Sequence, residues 1–130
     1  MLKIYEGEDQ YAEYLDLEAA KKDGAIERGW IPEWTPQSAR KLREWHNLDT
    51  NLQSLTFFIP SEESDDFQAM LGSRGFRGVP PDSVDLPSIC EEELANHSNV
   101  EVWQGYQPPF RYIVALAASG GYVCAWSTHP

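Results

Sequence analysis

The sequence predicts a single α+β domain, with an antiparallel sheet of about four to six strands and helices packed mainly on one face. Three observations lead there. The final third is nearly uncharged and rich in strand signals, the middle third carries two helix starts, and 130 residues suit one domain. Residues 1–130 are therefore read as one unit, with an acidic helical and loop segment, 61–101, inserted before a C-terminal hairpin.

Each element follows from local pattern. Asp9 to Asp23 is read as helical in part, with Tyr11, Tyr14 and Leu15 along one face and Gly24 as the stop. Between Ala39 and Leu48 two periods compete. Leu42 and Trp45 suit a helix, whereas Leu42, Glu44 and His46 on one side, against Arg43 and Trp45 on the other, suit a strand. A hairpin of Ala39–His46 with Ser54–Ile59 is preferred, its turn capped by Asp49 and Asn51.

Ser61 precedes Glu62 and Glu63 as an N-cap signal, and Phe67, Met70 and Leu71 recur at helical spacing before Gly72. A second helix starts at Ser88, with Glu91 in capping-box position, and ends near Asn96–Asn99. The stretch from Gly72 to Pro87 reads as a long irregular connection. Val100–Trp103, Phe110–Ala117 and Tyr122–Trp126 are read as strands, the last two joined through Ser119-Gly120-Gly121.

The charge is unevenly distributed. The formal net charge is −11, of which −8 falls within residues 61–101 and −4 within residues 1–60, while residues 102–130 carry +1. Such a balance disfavours direct contact with nucleic acid or an anionic membrane. No apolar leader and no membrane-length apolar run is visible, and the cytoplasm is the expected setting. Cys90 and Cys124 are expected as two buried free thiols rather than a disulfide.

The segment Lys22-Asp23-Gly24-Ala25-Ile26-Glu27-Arg28-Gly29-Trp30-Ile31-Pro32-Glu33, then Pro36-Gln37-Ser38-Ala39 and His46-Asn47-Leu48-Asp49-Thr50-Asn51, resembles a signature of small bacterial proteins of the YbbD head-domain type. The resemblance covers roughly residues 14–59 and implies no particular reaction. Many such relatives look like lipoproteins or envelope proteins, whereas this N-terminus lacks a signal peptide and a lipidated cysteine. Read physically, the motif is architectural. Gly24 and Gly29 make turns, Trp30 anchors the chain in the core, and Pro32 and Pro36 hold Glu33-Trp34-Thr35 extended.

Candidate chemistry is sparse. Glu44, His46 and Asp49 could form an acid–base or ligand pocket beside the 72–87 loop, but one histidine with two carboxylates is weak for a metal, and neither metal nor cofactor is expected. His97 and His129 are isolated and expected to be exposed. Cys90 reads as a core residue, since three glutamates follow it and disfavour a thiolate. No nucleophile elbow, phosphate loop, dinucleotide fingerprint or Cys-x-x-Cys pair is present.

The favoured function is a non-enzymatic, immunity-like or inhibitor-like domain that engages a basic protein such as a toxin, a nuclease or a nucleic-acid-binding protein. Glu62, Glu63, Asp65, Asp66, Glu91, Glu92 and Glu93 would supply the field, and Trp34 or Tyr106 an exposed aromatic anchor. The alternative is a small enzyme or ligand-binding domain at the His46/Asp49 pocket.

Overall fold

The computed structural model describes residues 2–128; His129, expected to be exposed, lies outside them. The chain forms β1 (Leu2–Glu6), β2 (Asp9–Asp16), α1 (Leu17–Lys22), β3 (Arg40–Asn47), β4 (Gln53–Phe58), α2 (Ser64–Ser73), β5 (Arg77–Val79), α3 (Ser88–Ala95), β6 (Val100–Gln107), β7 (Phe110–Ala117) and β8 (Tyr122–Thr128). All eight strands belong to one antiparallel sheet in the order β1-β2-β3-β4-β8-β7-β6-β5. Two four-stranded meanders thus meet where β4 pairs with β8, and the chain crosses from the centre to the far edge through α2.

This corrects the expected fold class. The protein is richer in β structure than an α+β fold with about four to six strands, and its helices occupy both faces. On one face, α1, α2 and the segment around Ile31 and Trp34 cover Leu55, Phe57, Val114, Leu116 and Val123. On the other, Cys90 and Leu94 of α3 cover Ile113, Ala115, Ala117, Cys124 and Trp126.

The missed strands have identifiable causes. Tyr11, Tyr14 and Leu15 imitate a helical stripe, yet Ala12 and Tyr14 are the buried alternation of β2, and Leu15 is exposed. The helix follows only at Leu17, after Asp16 Oδ1 accepts the Ala19 amide proton as N-cap. β5 has three residues, too few to show a period. It lies inside the stretch read as irregular.

Other elements match their sequence signals. Phe110–Ala117 is continuous and apolar because β7 is buried on both faces. The Ala39–His46/Ser54–Ile59 hairpin forms as β3 and β4, with a bulge between Arg40 and Arg43 where Lys41 takes φ 53°. Its turn is held by Asn47, whose Oδ1 accepts from the Asp49 and Thr50 amides, and not by Asp49 or Asn51. Glu33-Trp34-Thr35 is turned rather than extended, closed by the Thr35 amide on the Pro32 carbonyl.

The two helix starts sit where expected, without their expected side-chain caps. Ser61 opens a 3-10 turn ahead of α2, and α3 begins at Ser88 directly after Pro87. Cys90 and Cys124 are joined as a disulfide that ties α3 to β8, in place of the two free thiols expected. Among the described residues, no helix is long and apolar enough to cross a membrane.

Candidate functional site

The bulge leaves Leu42, Glu44 and His46 on the face of β3 that looks toward the turn after α1. Register places Tyr14, Ala12 and Gln10 of β2 opposite these three residues in order. Glu44 is 2 % exposed and, among the described residues, forms no ion pair with an arginine or lysine. Its Oε2 lies 2.7 Å from His46 Nδ1, and His46 Nε2 lies 3.0 Å from Gln10 Oε1. Trp30 stacks flat on the imidazole, with ring centroids 3.6 Å apart and planes inclined by 5°.

Burial decides the protonation of this pair. Desolvation pushes the Glu44 carboxyl up to about 8, against a smaller opposing pull from Arg28 and Lys3. Desolvation, then the Arg28 charge, holds His46 below its ordinary value. Both shifts favour the uncharged pair, in which Glu44 donates its carboxyl proton to Nδ1 and Nε2–H donates to Gln10.

Beside it sits a second, charged knot. Asp23 accepts from Lys3 Nζ at 2.8 Å and from Tyr14 Oη at 2.6 Å, and Arg28 Nη2 lies 3.5 Å away. The Lys3 and Tyr14 hydrogen bonds hold the Asp23 carboxyl below its usual range. Gly24, at φ 79°, lets the chain turn tightly here, and a Cβ would stand 2.8 Å from the Arg28 guanidinium. The cavity enclosed by Lys3, Asp23, Trp30, Glu44 and His46 holds about 40 Å³. That is room for a water or two, far below the ~300 Å³ at which pockets for organic ligands begin.

Of the residues proposed for an alternative pocket, the fold brings Glu44 and His46 together and leaves Asp49 on the exposed hairpin turn. Of the 72–87 segment, Arg77–Val79 forms the β5 edge of the sheet, five strands from β3, and Pro87 lines a cleft with Tyr11, Trp45 and Ser54, Trp45 alternating with Glu44 and His46 along β3. Lys3, Gln10, Tyr14, Asp23, Arg28 and Trp30 were not singled out as site residues from sequence. A strand period through Gln10, Ala12 and Tyr14 would have placed that half of the cluster opposite Glu44 and His46.

The expected partner-binding acids divide between the two faces. Glu62, Glu63, Asp65 and Asp66 lie at the start of α2, and Glu91, Glu92 and Glu93 lie on α3 across the sheet. Glu93 Oε2 is 3.1 Å from the half-buried His97, and Glu63 accepts from Ser38 Oγ at 2.7 Å. Trp34 is 4 % exposed and packs against Phe67, Phe76 and Tyr112, so it is a core residue and not an exposed anchor. Tyr106 is 64 % exposed. One edge of Trp34 nevertheless lines a cleft of about 170 Å³ against α2, shared with Phe67, Met70, Glu63 and Asp66.

Fold and site together define a mainly antiparallel β domain built around a buried acid–imidazole pair. Residues 8–58 match the model of the YbbD head domain family, in agreement with the resemblance carried by the Gly-Trp-Ile-Pro segment. The matched stretch supplies β2, β3 and β4 and every named member of the polar cluster except Lys3. Among curated proteins and solved structures, no match is found.

Proposed function

We propose that the chain is a non-enzymatic binding domain that engages a basic protein through its acidic helices. One observation carries this reading. Glu62, Asp65, Asp66, Glu91 and Glu92 are exposed, and none is in an ion pair among the described residues. Their field reaches solvent uncompensated, which speeds encounter with a cationic surface and selects against acidic ones. The polar cluster supports the same reading by its small cavity and by the mutual engagement of Glu44, His46 and Asp23. It is built to brace the sheet.

The test starts with a pull-down from native lysate at low salt and proceeds to affinity as a function of salt for the protein recovered. A basic partner is expected whose binding weakens by about tenfold or more between 50 and 300 mM salt, values on the order of the screening range. An acidic or salt-insensitive partner overturns the reading. Because the acids face opposite ways, Glu62→Lys with Asp65→Lys and Glu91→Lys with Glu92→Lys identify the face in use.

The compartment is open to a direct test. The cytoplasm is the setting expected from sequence, whereas a Cys90–Cys124 disulfide persists in oxidising surroundings. Thiol trapping in acid-quenched cells separates the two: a bonded pair favours an oxidising compartment, and two alkylated thiols favour the cytoplasm.

A further inference from the structure

We infer that two copies of this chain associate through the α3-side face of β1, β2 and β3, each covering the other's Leu2, Ile4 and Leu15 about a twofold axis. The inference goes beyond the binding reading above and does not rest on it. The opposite face of the sheet is covered by α1, α2 and the segment around Ile31 and Trp34. On this face α3 covers β7 and β8, and it reaches toward β3 only as far as a cleft where Ile89 meets Tyr11 and Trp45. Beyond that cleft the face is open. Cross-strand partners share a face, so register sets Leu2 beside Glu13 and Arg43, and Ile4 beside Tyr11 and Trp45. Leu2 is 48 % exposed, Ile4 43 % and Leu15 73 %. Leu2 and Leu15 share a groove of about 610 Å³ with Phe58 and Tyr122. An antiparallel face left to water ordinarily turns polar side chains outward, and contiguous apolar exposure marks a contact surface.

The charges say which contact. Glu13, Glu93, Lys41 and Arg43 line the same groove, two of each sign on a chain of net charge −11. Glu13, Lys41 and Arg43 enter no ion pair among the described residues. Arg43 Nε donates to Tyr11 Oη at 2.8 Å, and Lys41 Nζ lies 6.0 Å from the centre of the Phe58 ring.

A wholly basic surface is repelled here by Lys41 and Arg43, and a wholly acidic one by Glu13 and Glu93. A twofold contact gives each sign its opposite, because the bases of one copy face the acids of the other and the reverse. The general repulsion between two acidic chains is screened within about 8 Å at physiological salt, whereas the pairs across the contact form at closer range. In such a dimer α2, on the far side of the sheet, keeps its acids open to a basic partner.

The test is sedimentation equilibrium of the whole chain at physiological salt. A dimer is expected, with a Kd on the order of 1–100 μM. Ile4→Glu with Leu15→Glu should weaken it by about tenfold or more and leave the unfolding midpoint in place, since both side chains are exposed. Lys41→Glu with Arg43→Glu should be monomeric alone, as should Glu13→Lys with Glu93→Lys. Mixed, these two variants should form a heterodimer, because each then presents the charge that the other lacks.

A chain that stays monomeric overturns the assignment. So does a dimer that survives Ile4→Glu with Leu15→Glu, or a pair of charge variants that do not associate when mixed. Saturable uptake of a fatty acid by a monomeric chain also overturns it and gives the groove to a small amphiphile. None of these outcomes bears on the salt-dependent pull-down, which tests the basic partner separately.

Discussion

The two meanders of the sheet bury their interiors by opposite chemistry. Around β6, β7 and β8 the interior is apolar and cross-linked: α3 lies on Ile113, Ala115 and Trp126 and is tied to β8 through Cys90–Cys124. Around β1, β2 and β3 it is polar, with Glu44, His46, Gln10, Tyr14 and Asp23 meeting under Trp30. An apolar interior tolerates any close packing of the right volume, whereas a buried polar one is stable only when each donor meets its acceptor. The first meander is therefore specified by partners and the second by volume and a covalent tie.

That contrast can be broken at three points. The largest effect belongs to the cross-link. Replacing Cys90 and Cys124 by Ala removes a tie spanning 34 positions, for which chain entropy predicts a loss of about 3–4 kcal/mol. Denaturant unfolding under oxidising and reducing conditions measures it. The wild type under reductant should approach the double variant, and a variant as stable as the oxidised protein would refute the role.

Next comes the buried acid. Folded, Glu44 keeps its proton to about pH 8; unfolded, it loses it near 4.5, so between these values the native state binds more protons and stability falls as pH rises. His46 acts in the opposite sense below 6.5, where the unfolded chain takes up a proton that the fold resists. The two trends offset each other at lower pH and leave a net loss from about 6.5 to 8, worth about 2 kcal/mol. Glu44→Gln keeps an N–H donor for Nδ1 and cannot ionise. Urea unfolding across this window should slope downward in the wild type and run flat in the variant, and parallel curves would show that Glu44 is already ionised at neutral pH.

The smallest effect is expected at the aromatic cover. Trp30→Leu removes the stack on His46, worth about 1 kcal/mol beyond lost area. It should also raise the His46 titration midpoint by admitting water, which imidazole NMR shifts report. A midpoint unchanged by Trp30→Leu would mean that the sheet alone keeps the imidazole dry.

Much of the second meander was legible in the sequence. The continuous apolar run Phe110–Ala117 can be satisfied only with cover on both faces, and Ser119-Gly120-Gly121 turns it back on itself. The first meander was far less legible. Tyr11, Tyr14 and Leu15 satisfy a helical period but fall on both faces of a strand, and only pairing with β3 selects the strand. Glu44 and His46 share a strand face by alternation, and that much could be read. Lys3 and Asp23 are 20 residues apart, and no local pattern announces their contact.

By itself, the sequence determined the acidic charge, the paired strands at residues 39–59 and in the final third, the two helix positions in the middle, and the turn at Gly24. These follow from periodicity, charge and backbone freedom, which act over a few residues. Tertiary structure alone decided that eight strands join one sheet among the described residues, that the acids part onto two faces, that Trp34 is buried, and that the Glu44 carboxyl is pushed upward. Each of those depends on burial, and burial is set by what the rest of the chain brings to the site.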